Sequence, residues 1–446
     1  MVSATLGMLG MFRSAPLRRL GSTAAVFLAL AVCGCSQAPK DDRITLRYMA
    51  WGNPEQLQVE REIADEFEKR HPHIRVHLFM VPGNAYQDKL QLMLASRTAP
   101  DVLRVDHYYF PALVPKGYFR SLDEFIAREP AGFLDDYLPL SLEEGRWNGK
   151  LYGLNVLFGC VMLYYNEDLI RAAGLEDPYE LNRRKQWDWA RFVRHAQALT
   201  KRDSSDRPVQ FGTNSPTFPM FASVIWNHGG EFLDSGMGRM IMADDEGSRL
   251  GLQEFADLRW RYKCAPTPAD TALSAFTFES GKIAMAWGWA GESPRYRRNI
   301  KSFKWDVVPT PSGPAGNWTV VKGNQLCIHQ ETEHPKEAWE FVKFMTGPDA
   351  EQILGGRLRR SIPTRKSVLA SAEYLKADQP PYHTDSFLES LRRGKTLPID
   401  RRYQEWSQSF IAALEPLVNV QEADAQSALK DASARVNRVL SGEEGF

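Results

Sequence analysis

Cysteine is scarce in this chain, with five in 446 residues. Cys33 and Cys35 fall near the start, and Cys160, Cys264 and Cys327 are scattered through the rest. One disulfide is open to the last three, but they build no disulfide framework and no zinc-ligand spacing. Long apolar runs are also missing. Beyond the N-terminal region no stretch is apolar enough to cross a membrane as a helix. Positive charge is not in excess, since 55 basic residues face 55 acidic ones. That balance argues against a nucleic-acid binder. There is no G-x-S-x-G elbow, no P-loop, no dinucleotide glycine motif and no H-E-x-x-H. No two carboxylates stand out as a glycosidase pair. His71, His73 and His77 cluster, but no cysteine or carboxylate at ligand spacing completes them, so they are expected on a solvated helix end and strand. No metal and no cofactor are expected.

What is present begins with Arg13, Arg18 and Arg19, an apolar run from Ala24 to Val32, and Cys33-Gly34-Cys35-Ser36. The run is too short for a spanning helix and reads as a secretory leader. Its end resembles a bacterial lipoprotein lipobox. The resemblance implies a signal peptide over 1–34, cleavage after Gly34 and a lipid on Cys35. Cys33 fits less well, because Val32 precedes it. An ordinary cleaved leader is the alternative. Residues 35–43 are polar and read as a tether. The rest of the chain is long enough for two or three domain-sized units and is expected outside the cytoplasm.

Hydrophobic periodicity sets the next expectation. Ile44, Leu46 and Tyr48 alternate as in a strand. Asn53 and Pro54 suit an N-cap and first helical position. Val59, Ile63 and Phe67 then recur on one helical face until Pro72. Ile74 to Met80 alternates again, 86–96 is amphipathic, and 101–106 is a third strand. Strand, helix, strand, helix, strand predicts a parallel sheet wrapped by helices. Farther on, Val161–Tyr165 reads as a buried strand, Asn166–Ala173 as a helix capped by Gly174, and 176–186 as a charged, irregular loop. Helices are predicted over 187–200, 247–263 and 335–345, and two more within 402–439. The Pro/Gly-rich 308–316 reads as a crossover or hinge.

Several segments together resemble the extracellular solute-binding proteins of ABC importers, in the branch that mostly binds sugars. Tyr48-Met49-Ala50-Trp51-Gly52 is similar to that family's start, and Ala99-Pro100-Asp101-Val102 to its entry to the third strand. Gly117–Asp123 looks like its G-x-x-x-x-L-D. Tyr152-Gly153-Leu154 followed by Leu163-Tyr164-Tyr165-Asn166 is the most specific match. Gly281–Met285 and Pro335–Met345 follow in the family's order. The resemblance implies an α/β, two-lobed, periplasmic-binding-protein-like fold of type II, each lobe a sheet flanked by helices, with a ligand cleft between. Lobe one is expected over 44–158 plus 312–362, and lobe two over 159–311 plus 363–446. A monomer that hands its ligand to ABC permease subunits is implied. The chain departs from the family at Asn155, at Phe158-Gly159-Cys160 and at Lys322-Gly323-Asn324-Gln325, all at expected binding positions.

Sugars offer apolar ring faces that stack on aromatics, and hydroxyls that suit carboxylates and amides. Loop tips beyond strand ends are where such groups act. Trp51, Asn53, Asp106, Tyr108, Trp226, Trp287, Trp289, Asn324 and Trp406 are therefore the candidate ligand contacts. Trp187, Trp189, Trp339 and Tyr165 are expected in the core. The function expected is carbohydrate capture without covalent chemistry. A secreted glycosidase, a receptor-docking sensor, and a binder of polyamines or another small solute are the alternatives.

Overall fold

The computed structural model describes residues 42–272, 276–376 and 378–443. The leader, Cys35 and most of the tether lie outside them. Among the described residues no helix is long and apolar enough to cross a membrane.

The opening unit forms as its periodicity requires. Strands β1 (Ile44–Trp51), β2 (Ile74–Val81) and β3 (Val102–Asp106) are parallel in the order β2-β1-β3, with Leu46 opposite Val76. Helix α1 (Pro54–Arg70) joins the first two and α2 (Gly83–Ala95) the next two. The face of α1 carrying Ile63, Ala64 and Phe67 is buried against Tyr48 and Phe341. Ile63 and Phe67 each contribute about 1.5–3 kcal/mol. The opposite face of this sheet packs Met49, Tyr86, Leu90 and Leu103 together. Both faces are thus covered, as a parallel sheet demands.

Five further strands extend the sheet: β4 (Gly153–Asn166), β5 (Pro208–Thr213), β6 (Ile283–Trp289), β7 (Trp305–Val308) and β8 (Thr319–Ile328). With two two-residue strands they make one ten-stranded sheet whose backbone order is β2-β1-β3-β8-β4-β6-β5. The predicted strand at 161–165 is the second half of a much longer one. Gly153–Cys160 of β4 runs antiparallel to β8, and Val161–Asn166 lies between β6 and β7. β4 therefore passes from one half of the sheet into the other. At the changeover the Ile362 N–H donates to Phe158 O (2.8 Å) and the Thr319 hydroxyl to Val161 O (2.7 Å). Three stretches of chain meet there.

The second half is packed by α3 (Trp189–Leu199), α4 (Glu246–Trp260), α6 (Tyr403–Glu415) and α7 (Ala425–Ser441). Helix α5 (Pro335–Met345) packs with the first half. Trp187, Trp189, Trp339 and Tyr165 are buried as expected. The segment 176–186 differs from its reading as an irregular loop. It contains a helix, Pro178–Arg183, because the Asp177 carboxylate accepts the Tyr179 and Glu180 N–H groups and Pro178 supplies the first helical φ.

Candidate functional site

The carboxyl end of β3 lies beside the middle of its antiparallel neighbour β8, with Asp106 opposite Asn324. Asp106 Oδ1 accepts the Tyr108 N–H (3.0 Å), which turns the chain sharply after the strand. Its Oδ2 accepts from Lys322 Nζ (2.7 Å) and Asn324 Nδ2 (3.4 Å). The turn aims the Tyr108 ring toward the second half, where it stacks on Tyr403 at 5.0 Å. Gln404 Nε2 donates to Tyr108 O (3.0 Å). Lys322 Nζ lies 4.5 Å from the Tyr108 ring centroid and 5.6 Å from that of Trp289. One cluster thus joins Asp106, Tyr108, Lys322 and Asn324 with Trp289, Tyr403 and Gln404. A cavity of about 670 Å³ adjoins it, lined by Tyr109, by Gln87 and Gln91 of α2, and by Gln404, Glu405 and Gln408 of α6. That volume lies within the usual range for small-molecule sites, about 300–1,000 Å³.

Of the nine candidate contacts, Asp106, Tyr108, Trp289 and Asn324 meet in this cluster. The other five do not. Trp51 is half-buried at the end of β1, its ring 4.8 Å from Tyr86 and 4.8 Å beneath the Arg104 guanidinium. Asn53 caps α1: its side chain accepts the Gln56 N–H (3.0 Å), and Gln56 Oε1 accepts the Asn53 N–H in return. Trp226, Trp287 and Trp406 are core residues, and their assignment as ligand contacts is corrected. Trp226 packs on Phe232, Trp287 on Phe192, and Trp406 is fully buried with its indole N–H on Asp400. The core of the second half is unusually aromatic, and it absorbs them.

Tyr403 and Gln404 join the cluster without being singled out in the sequence, and Lys322, marked there only as a departure at an expected binding position, joins it too. Tyr403 precedes Trp406 by three on α6, so the two share a helix face. The residue nearer the helix start reaches the cluster. Among the departures from the family pattern, Asn155, Phe158 and Cys160 are buried, and Lys322 reaches the cluster.

Behind the cluster lies a buried polar node. Asn155 Nδ2 donates to Glu144 Oε2 (2.8 Å), Gln325 Nε2 donates to Glu144 O (3.2 Å), and His107 Nε2 lies 3.9 Å from Glu144 Oε1. Gly323 must be glycine here, since a Cβ would come within 2.2 Å of Asn155 Oδ1. Burial pushes the Glu144 carboxyl up to about 8 and the His107 imidazole down to about 4. Neighbouring Asp106 and Lys322 partly offset or reinforce these shifts. Glu144 holds its proton more tightly folded than unfolded. Its stabilising contribution is full below about 4.5 and is lost as pH rises to about 8. His107 holds its proton less tightly when folded. Its contribution is full above about 6.5 and is lost as pH falls toward about 4. Melting curves across pH should therefore show Glu144→Gln removing a decline in stability between about pH 4.5 and 8. An unaltered slope across that window would refute this.

Residues 51–352 match the sequence model of the bacterial extracellular solute-binding protein family. Two curated relatives are similar over most of their length. An uncharacterised lipoprotein of Streptomyces antibioticus is 25% identical over 340 residues, 73% of this chain and 72% of the relative. The arabinooligosaccharide-binding protein of Bacillus subtilis is 24% identical over 342 residues, 73% of this chain and 75% of the relative. Among solved structures, the ABC substrate-binding protein of Listeria monocytogenes in complex with cycloalternan superposes with a TM-score of 0.79. It is 24% identical, and the match covers 90% of this chain and 100% of that one. This likeness establishes the two-lobed α/β fold expected from the sequence.

Proposed function

Because the chain belongs to the bacterial extracellular solute-binding protein family, we propose that it captures a carbohydrate in the cleft at Asp106, Tyr108 and Trp289 and delivers it to an ABC permease. The observation that carries this reading is the meeting of two kinds of group from the two halves of the sheet. Tyr108 and Trp289 offer ring faces for the C–H side of a sugar, and the buried Tyr403 backs Tyr108 by stacking on it. Asp106, Asn324 and the glutamines of the adjoining cavity offer planar partners for hydroxyls. The names of the relatives, one for arabinooligosaccharide and one crystallised with cycloalternan, support the same ligand class.

Binding works by closure. The lobes, 44–158 plus 312–362 and 159–311 plus 363–446, rotate about the stretches near Phe158, Thr319 and Ile362. The ligand favours the closed state in proportion to its extra contacts there. The protein acts as a monomer, performs no covalent chemistry, and is held at a membrane by a lipid on Cys35. The Streptomyces relative's description as a lipoprotein agrees with that anchor. A polyamine is disfavoured because Lys322 already neutralises Asp106.

The test is calorimetric titration and thermal shift with arabino-oligosaccharides, cycloalternan, monosaccharides and spermidine. Saturable binding of at least one carbohydrate, recovered chemically unchanged, is expected, with a rise in melting temperature by mass action. A response to spermidine alone would overturn the reading, as would turnover of the carbohydrate.

A further inference from the structure

The ammonium of Lys322 lies against the two ring faces that the carbohydrate reading assigns to the sugar. It is 2.7 Å from Asp106 Oδ2, 4.5 Å over Tyr108 and 5.6 Å over Trp289. Tyr403 backs Tyr108 by stacking at 5.0 Å. A carboxylate and two electron-rich ring faces around one positive charge is the arrangement that recognises organic ammonium ions. Here the chain supplies the ion itself.

The lysine is delivered by a rigid element. Lys322 lies on β8, paired with Gly159 of β4, and two residues on Asn324 is paired with Asp106 of β3. The intervening Gly323 presses against Asn155 with no room for a Cβ. The ladders on both sides set the register of the strand, and the lysine stem reaches the cage from that position. Asp106 is held as firmly, by the Tyr108 N–H and by Asn324.

We propose that Lys322 determines specificity as a tethered cation: it fills the chain's own ammonium cage and so reserves the cleft for uncharged polyhydroxylated solutes. The choice of solute rests on the carbohydrate reading above. The nature of the cage does not. An incoming amine meets a carboxylate already paired and a second positive charge beside it. A neutral sugar meets neither obstacle. Its C–H face replaces the ammonium on the two rings, and Lys322 and Asp106 become a donor and an acceptor for its hydroxyls.

The experiment compares the full chain with Lys322→Ala and Lys322→Met, titrated calorimetrically with tetramethylammonium and methylammonium chloride against matched sodium chloride. The unaltered chain should show no saturable response. Lys322→Ala should bind an alkylammonium ion at least about tenfold more tightly than the unaltered chain does. Lys322→Met, whose uncharged side chain still fills the space, should not. Adding Asp106→Asn to Lys322→Ala should abolish the gain. A Lys322→Ala chain that is folded by circular dichroism yet gains no ammonium binding overturns the proposal. A measurement on the unaltered chain stands apart from any variant's folding: tetramethylammonium should not compete with a bound carbohydrate, and competition overturns the proposal too. The two readings fail separately. Normal carbohydrate binding without the ammonium gain sinks the cage alone. An ammonium gain in a chain that binds no carbohydrate sinks the carbohydrate reading alone.

Discussion

Replacing Trp289 by alanine should weaken carbohydrate binding by about 30- to 1,000-fold and leave the unliganded chain's melting temperature close to its original value. The range corresponds to about 2–4 kcal/mol, the usual cost of removing an aromatic anchor from the centre of a binding site. Trp289 ends β6 and is only half-buried, so little of the core depends on it. Its main chain is held independently of its ring, since Tyr164 Oη donates to Trp289 O (2.9 Å). Trp287 is the matched control. It lies two residues earlier on the same face of the strand, but is buried against Phe192 and Trp189. Trp287→Ala should cost about 3–5 kcal/mol of stability through the cavity it leaves. Calorimetric titration and thermal melts of both variants check the pair. A Trp289→Ala chain with undiminished affinity would remove the ring from the site.

That contrast marks what the sequence made legible. The order β1-α1-β2-α2-β3 follows from periodicity, because each apolar position has a covered sheet or helix face to enter. Asn53 was equally readable as a cap or a ligand contact, and the reciprocal pair with Gln56 settles it as a cap. The tryptophans were harder. Five of the twelve stand among the nine candidate ligand contacts. The second half instead builds its core from rings such as Phe218, Phe221, Phe255 and Phe410, and Trp226, Trp287 and Trp406 join them. Alternation along a strand gives a residue's face but not whether the core extends that far. Trp287 and Trp289 differ in that respect alone. Lys322 was readable only as a departure at a binding position, and Gln404 not at all, because their partners, Asp106 and Tyr108, are 216 and 296 residues away. Only the completed sheet and the return of α6 bring them together.

A stability effect as large as that of Trp287 belongs to Glu60. Glu60→Gln should lower unfolding free energy by about 3–5 kcal/mol, the usual result of removing one partner from a buried ion pair. Glu60 and Arg104 are both fully buried, with Arg104 Nη2 at 3.2 Å from Glu60 Oε1. Arg360 Nη1 lies 3.4 Å from the same oxygen, and burial holds its guanidinium below the usual arginine range. Tyr48 Oη donates to Glu60 Oε2 (3.2 Å). One carboxylate thus pairs with two buried guanidinium groups, and the amide would leave both uncompensated. The effect should extend to the cleft side, because Arg104 also donates to Trp51 O (3.1 Å) and covers its ring. Urea unfolding gives the measurement. Glu66→Gln, on the exposed side of the same helix and paired with Lys69 and Arg70 in solvent, is the control and should change stability by no more than about 0.5 kcal/mol. Equal midpoints for the two variants would show that Arg104 and Arg360 find compensation elsewhere when Glu60 loses its charge.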